Sequence, residues 1–219
     1  MSFYVEATSH REFKMVPPGT HLARCYRLVD LGTQTVDWQG QQKFQHKIML
    51  GWEIHGEDDQ GQPLVTDEGE PLAMFKNYTY SWSENATLRK DLQTWRGAPW
   101  SDDEAKRFDL QNILGQWCMV NVIHRTGESG KTYANIAGLS PVPAIIKKAG
   151  IPEGRNEIQI FRLSDPDWVL FETFSKGLKA KIEASPEYRS ARGVQSATAK
   201  APAGSTGSGF DDIEDDMPF

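Results

Sequence analysis

The chain has 219 residues, long enough for one sizeable domain or for one domain plus a helical appendage. Its formal net charge is −6, from 24 Lys and Arg against 30 Asp and Glu. Its two cysteines, Cys25 and Cys118, lie in apolar runs, so we expect no disulfide framework, no cysteine-based metal site and a cytoplasmic location. No apolar run approaches the ~20 residues of a membrane span and no signal peptide is recognisable, so we expect no membrane partner.

Three segments in the first half of the chain have strand patterns. The first, 19–31, follows the breaker Pro17-Pro18-Gly19 and is rich in strand-forming residues. The second, 43–55, alternates, and we expect one set to face the core: Phe44, His46, Ile48, Leu50, Trp52 and Ile54. The other set should then face outward: Lys43, Gln45, Lys47 and Met49. An acidic hairpin loop, 56–71, leads to a third alternating strand, 72–82.

The period changes after the third strand. Leu88, Leu92 and Trp95 recur at helical spacing, which predicts a helix over 83–95 with Ser83 as its N-cap and Gly97 as its stop. A second short helix is predicted over 102–108, capped by Ser101. Two further strands, 116–125 and 131–140, are joined by a tight turn that contains two glycines.

The order of three strands, a helix and a two-stranded hairpin is that of the oligonucleotide-binding (OB) barrel. It predicts a mainly β protein whose residues 1–143 form a five-stranded OB barrel with an inserted helix, although other five-stranded folds stay open. Residues 144–191 should form an appendage packed on the barrel, with a strand at 158–163 and an amphipathic helix at 165–184. That helix carries Trp168, Val169, Phe171 and Phe174. Residues 192–219 are expected to be a disordered linker and an acidic tail.

Aromatic and basic residues on the predicted strands suggest a binding face. Lys76, Tyr78 and Tyr80 share one face of the third strand, and if that face is exposed it joins rings that stack on bases to cations that bind phosphates. The alternative for both tyrosines is a place in the core, and for Trp38 a place at the barrel end. The candidate nucleic-acid-binding residues are Trp38, Lys43, Lys47, Lys76, Tyr78, Tyr80, Arg125, Lys131 and Tyr133.

Several motifs that would indicate other chemistry are incomplete. Gly130-Lys131-Thr132 resembles the end of a phosphate-binding loop, but that pattern needs glycine where Arg125 stands. The five histidines are scattered, without the close pairing of a zinc site. No serine or cysteine lies in a recognisable nucleophile motif. We therefore predict that the chain is not an enzyme and needs no cofactor or metal.

The last residues combine charge with an apolar end. A linker of small residues, 196–209, precedes GFDDIEDDMPF, a composition that predicts docking rather than folding, with a merely solubilising tail as the alternative. All 24 Lys and Arg precede this segment, so the rest of the chain is close to neutral. The candidate partner-binding residues are Asp211, Asp212, Glu214, Asp215, Asp216, Met217, Pro218 and Phe219.

With this tail and the strand order, the chain resembles phage-type single-stranded DNA-binding proteins. The resemblance implies a protein that coats single-stranded DNA without sequence preference during DNA replication, recombination or repair in a bacterial or phage-infected cell. It also implies that the tail recruits replication or recombination proteins and, when free, competes with DNA for the barrel. The long loop between strands two and three and the extra segment before the linker depart from the bacterial relatives, so a homo-oligomer, a dimer and a monomer all stay open.

Two other functions are compatible with the sequence. A recombination mediator or strand-annealing protein would share DNA binding and add strand pairing. A protein-interaction adaptor would use its barrel for a protein partner instead of DNA. The sequence does not decide between DNA and RNA, and it does not specify the number of nucleotides covered.

Overall fold

Six strands form one mostly antiparallel sheet in the computed structural model, which describes residues 14–38, 40–127 and 129–193. The order along the sheet is β3-β2-β1-β4-β5, and β6 pairs with β1 in parallel. The mainly β character predicted from the sequence is confirmed. The strands are β1 (Gly19–Trp38), β2 (Gln41–His55), β3 (Ala73–Thr79), β4 (Trp117–Thr126), β5 (Thr132–Ser140) and β6 (Gln159–Phe161).

The first two strands make a long hairpin that extends past the rest of the sheet. β1 pairs with β2 from Leu22 to Trp38, with register shifts after Cys25 and after Asp30. On its other edge β1 pairs with β4 only as far as Arg24, and with β6 from Arg27 to Val29. The distal part of the β1–β2 hairpin therefore lies beyond β4 and β6.

Six short α-helices accompany the sheet in the described residues: α1 (Thr87–Arg96), α2 (Asp102–Arg107), α3 (Ala144–Ala149), α4 (Trp168–Glu172), α5 (Lys176–Ala184) and α6 (Pro186–Ala191). A 3-10 helix, Leu110–Ile113, follows α2. None of the helices in this part of the chain is long and apolar enough to cross a membrane.

Local signals set the ends of α1 and α2. Gly97 ends α1 with φ of 75°, a left-handed conformation that glycine adopts readily, as predicted. Ser101 caps α2 in a capping box with Glu104, also as predicted. The predicted N-cap of α1 is wrong: α1 begins at Thr87, because the chain from Ser83 to Ala86 makes a turn in which Ala86 N donates to Ser83 O at 3.1 Å.

The main hydrophobic core lies on the inner face of the sheet. The alternation in β2 predicts its members correctly from Ile48 onward, and α1 contributes Leu88, Leu92 and Trp95. The Trp95 indole N–H donates to Trp117 O at 3.0 Å and ties α1 to the start of β4. The prediction for Phe44 is wrong, since this side chain is 66% exposed on the part of the hairpin that extends past the core.

A second hydrophobic core covers the outer face of β1 and β2. Val29, Leu31 and Met49 pack there against β6 and against Phe171, Phe174, Leu178 and Ile182 of the helical segment. Lys47 and Met49 lie on the outer face, as predicted, but this face is covered: their exposures are 6% and 4%, and Met49 belongs to the second core. The single helix predicted over 165–184 is divided into α4 and α5, separated at Thr173–Ser175, and α6 follows.

A buried carboxylate anchors the segment that precedes β6. Glu53 of β2 is fully buried and accepts hydrogen bonds from Asn156 N at 2.6 Å, Asn156 Nδ2 at 2.7 Å and Arg155 N at 3.1 Å. Arg24 Nη1 lies 3.3 Å from Glu53 Oε1 and also donates to Asn156 O at 3.0 Å. Burial raises the pKa of Glu53, but these hydrogen bonds outweigh burial and leave the pKa below its ordinary value.

Candidate nucleic-acid interface

A cleft of about 780 Å³ opens where the main core ends. We call it the sheet-end cleft; it lies between the β1–β2 hairpin, the residues after β3, α2 with the 3-10 helix, and the chain after β6. Side chains from all four segments line it, so the tertiary fold is needed to assemble it. The lining residues used below are Asp30, His46, Tyr80, Trp82, Lys106, Arg107, Phe108, Asp109 and Arg162.

Tyr80 lies where β3 leaves the core. Alternation puts it on the same strand face as Tyr78, but Tyr78 pairs with Ile48 inside the core, whereas Tyr80 lies beside His46. The Tyr80 amide donates to His46 O at 2.7 Å and the two rings are 5.5 Å apart. The Tyr80 side chain is 59% exposed, so its ring is available to a ligand in the cleft.

A stack of aromatic rings supports one wall of the cleft. The Trp82 and Phe108 rings are stacked, 5.3 Å apart and inclined by 14°. Trp100 contacts both of these rings, with centroid distances of 4.5 Å to Phe108 and 5.4 Å to Trp82. Since these three side chains hold one another, this wall is a rigid apolar surface of the kind that a nucleobase covers.

The charges in the cleft favour an anion. Its lining includes three cations, Lys106, Arg107 and Arg162. It also includes two carboxylates, Asp30 and Asp109, but both accept hydrogen bonds from within the protein. Asp30 accepts hydrogen bonds from His46 Nε2 at 2.7 Å and Gly32 N at 2.9 Å. Asp109 accepts from Gln111 N at 2.9 Å and caps the 3-10 helix. Three cations beside flat rings are the combination that a single strand requires.

The structure places two of the predicted site residues inside the protein. Tyr78 is 3% exposed, and its hydroxyl donates to Asp91 Oδ2 at 2.8 Å. Lys76 Nζ lies 3.0 Å from the same oxygen and donates to Ile136 O at 3.3 Å. Burial and the Asp91 charge raise the pKa of Tyr78 well above its ordinary value. An exposed position for Lys76 and Tyr78 is therefore a wrong expectation, because this face of β3 packs on α1.

Two predicted residues of the first hairpin, Lys43 and Lys47, do not line the cleft. Lys47 is buried beneath the helical segment, and Lys43, half-buried, is on the outer face, opposite Val36. Trp38 is the last residue of β1, and its side chain is not among those that the structure describes.

The β4–β5 hairpin brings the last three predicted residues together. Arg125 and Tyr133 are paired neighbours, and Lys131 Nζ lies 5.6 Å from the centre of the Tyr133 ring. Arg125 and Lys131 are exposed. This small patch lies beyond the start of β1, where Gly19 pairs with Val122, whereas Tyr80 lies beside the distal half of the β1–β2 hairpin. The two groups are thus at opposite ends of β1.

Sequence reasoning missed five members of the cleft that could contact a ligand: Trp82, Lys106, Arg107, Phe108 and Arg162. One signal was present, because the capping box at Ser101 marks α2 as a real helix and its last turn carries Lys106 and Arg107 beside Phe108. No local signal relates that turn to Tyr80, from which it is separated by more than twenty residues of sequence.

Comparison with known proteins supplies no family. No protein-family model matches the chain, and no curated protein matches it. The acidic tail, with all eight of its candidate partner-binding residues, lies outside the described residues. The functional argument therefore depends on the geometry of the sheet-end cleft and on the sequence of the tail.

Proposed function

We propose that this protein binds single-stranded DNA without sequence preference during DNA replication, recombination or repair, and recruits partner proteins through its acidic tail. The observation that carries the proposal is the sheet-end cleft, in which the exposed Tyr80 ring and the Trp82–Phe108 stack lie with three cations. The resemblance of residues 209–219 to the tails of phage-type single-stranded DNA-binding proteins supports the second part.

We further propose that the sheet is an OB barrel. The strand order β3-β2-β1-β4-β5 becomes the barrel order when β5 meets β3, and α1 lies between β3 and β4 in sequence. The hydrogen bond from Lys76 Nζ of β3 to Ile136 O of β5 supports a close approach of these two strands. In this interpretation the cleft lies at one end of the barrel, where the first hairpin and α2 project.

The cleft would bind a strand through its backbone and its ring faces. Lys106, Arg107 and Arg162 would contact phosphates, and Tyr80 would stack on a base. Neither contact reads base edges, so affinity should depend weakly on sequence and strongly on salt, because bound cations are displaced from the phosphates. Duplex DNA hides its base faces and should bind much more weakly.

The proposal is tested by titrating the full chain with oligo-dT and with a matched duplex at low and moderate salt. Trp82 lines the cleft and Trp100 packs against it, so tryptophan fluorescence should report binding. We expect salt-sensitive binding to oligo-dT and little binding to duplex. Absence of binding to both at roughly tens of micromolar protein would overturn the proposal and would favour the adaptor function.

A further inference from the structure

A second cleft of about 550 Å³ adjoins the first on the other side of α2. Arg96 and Trp100 line only this second cleft, whereas Arg107 and Phe108 line both. The two spaces therefore share part of their lining. A strand that leaves the sheet-end cleft over Arg107 would pass directly into the second one.

Two aromatic rings, those of Trp100 and Phe108, line the second cleft. The Arg96 guanidinium lies 4.7 Å from the centre of the Trp100 ring, and Trp100 packs on Phe108 at 4.5 Å. A flat ring beside a guanidinium is a pair of groups that matches a nucleobase, which presents a π face and acceptor atoms.

The charges of the second cleft differ from those of the first. Arg96 is paired with Glu104, and hydrogen bonds from Arg96 and Ser101 lower the pKa of Glu104 to about 2. Asp103 lies there as well, so two carboxylates balance Arg96 and Arg107. A near-neutral aromatic space does not attract a phosphate as the sheet-end cleft does, and a base is the part of a nucleotide that fits it.

We infer that the second cleft is a separate nucleobase subsite, in which single-stranded DNA crossing the sheet-end cleft places a further base against Trp100. The inference rests on the proposed function and extends it with a path for the bound DNA, which runs from Tyr80 across Arg107 to Trp100. The base must be unpaired to enter, so the subsite adds to the preference for single strands.

The test compares oligo-dT of about 4 and about 12 nucleotides, within the range of lengths that such barrels cover. Wild type should bind the longer strand more tightly. Arg96→Gln should reduce that gain and leave the short strand unchanged. Trp100→Ala, which also removes support from the wall of the sheet-end cleft, should weaken the longer strand by about tenfold more than the short one, since a stacked base contributes roughly that much. Lys106→Ala, which alters the first cleft only, should weaken both lengths equally.

Each outcome has a distinct meaning. Equal effects of Trp100→Ala on both lengths, or no effect on either, would overturn the second subsite. Arg96→Gln decides the question if Trp100→Ala fails to fold, because Arg96 lies on the exposed side of α1. Failure of wild type to bind either length would overturn the proposed function itself, and with it this inference, whereas normal wild-type binding with unaffected variants would overturn the inference alone.

Discussion

Tyr78 and Tyr80 are two positions apart on one strand face, yet the core ends between them. We predict that Tyr80→Ala weakens oligo-dT binding about tenfold, because one stacked base is lost, and changes the free energy of unfolding little. Tyr78→Phe removes the hydroxyl that donates to Asp91 and should cost about 2 kcal/mol of stability while leaving affinity unchanged. Titration and urea unfolding of both variants check this, and the reverse pattern would show that Tyr78 is the binding residue.

Glu53 is the buried charge on which the fold depends most. Glu53→Gln should lower the free energy of unfolding by about 3 kcal/mol at neutral pH, because the new amide N–H would face the Asn156 donors. Urea unfolding measures this, with Glu183→Gln on the exposed side of α5 as the control. An equal effect of the two substitutions would contradict the anchoring role of Glu53.

The same carboxylate predicts a pH dependence. The pKa of Glu53 is lowered in the folded protein, so its stabilisation is complete above the ordinary value of 4.5 and is lost as pH falls through the lowered pKa. Wild type should therefore lose stability more steeply than Glu53→Gln below that value. The free energy of unfolding is measured with urea at several pH values in this range. If it falls with pH equally in wild type and Glu53→Gln, Glu53 contributes nothing to the acid transition.

Between elements, the start of α6 packs closely on the β1–β2 hairpin. A Cβ on Gly32, where φ is 70°, would lie 2.5 Å from Ser185 Cβ, and the neighbouring Glu187 accepts from Thr33 N at 2.9 Å. Gly32→Ala should cost about 3 kcal/mol and speed amide exchange in α6. Gly40→Ala is the control, since φ is 75° there with open space around it, and it should cost about 1 kcal/mol. Equal costs would mean that α6 does not clamp the hairpin.

At the level of elements, the sequence predicts what local patterns encode. Alternation in β2 identifies Ile48, Leu50 and Trp52 as inner residues because a period of two follows from strand geometry. It does not identify Met49 as buried, because the helices that cover that face come more than one hundred residues later. The prediction that Phe44 is buried is wrong for the opposite reason. The alternation of apolar residues continues along β2 to Phe44, but the strand there has already passed the end of the core.

In the whole molecule, the sheet-end cleft could not be predicted because four distant segments form it. Tyr80 was recognisable as a candidate from its strand pattern. Its partners Lys106, Arg107 and Arg162 become neighbours only after β3, α2 and β6 have packed together. The half-buried pair formed by Lys76 and Asp91 shows the same limit, since a lysine on a strand is usually solvated and this one bridges β3 and α1.

The whole chain also separates its charges, with five carboxylates within residues 209–219 and every Lys and Arg before them. Deleting residues 209–219 should tighten oligo-dT binding several-fold at low salt, because the carboxylates would no longer compete for the cations of the cleft. The difference should vanish at high salt, where such attraction is screened. Unchanged affinity at low salt, measured by the same fluorescence titration, would contradict the competition.

The most direct test of the central claim is to cross-link the full chain to oligo-dT with ultraviolet light and to identify the modified peptides by mass spectrometry. Binding in the sheet-end cleft predicts adducts in the segment that contains Tyr80 and Trp82 and in the segment that contains Phe108. Adducts confined to the β4–β5 hairpin around Tyr133, or to Phe75 on the outer face of β3, would contradict it and would move the interface to another surface of the sheet.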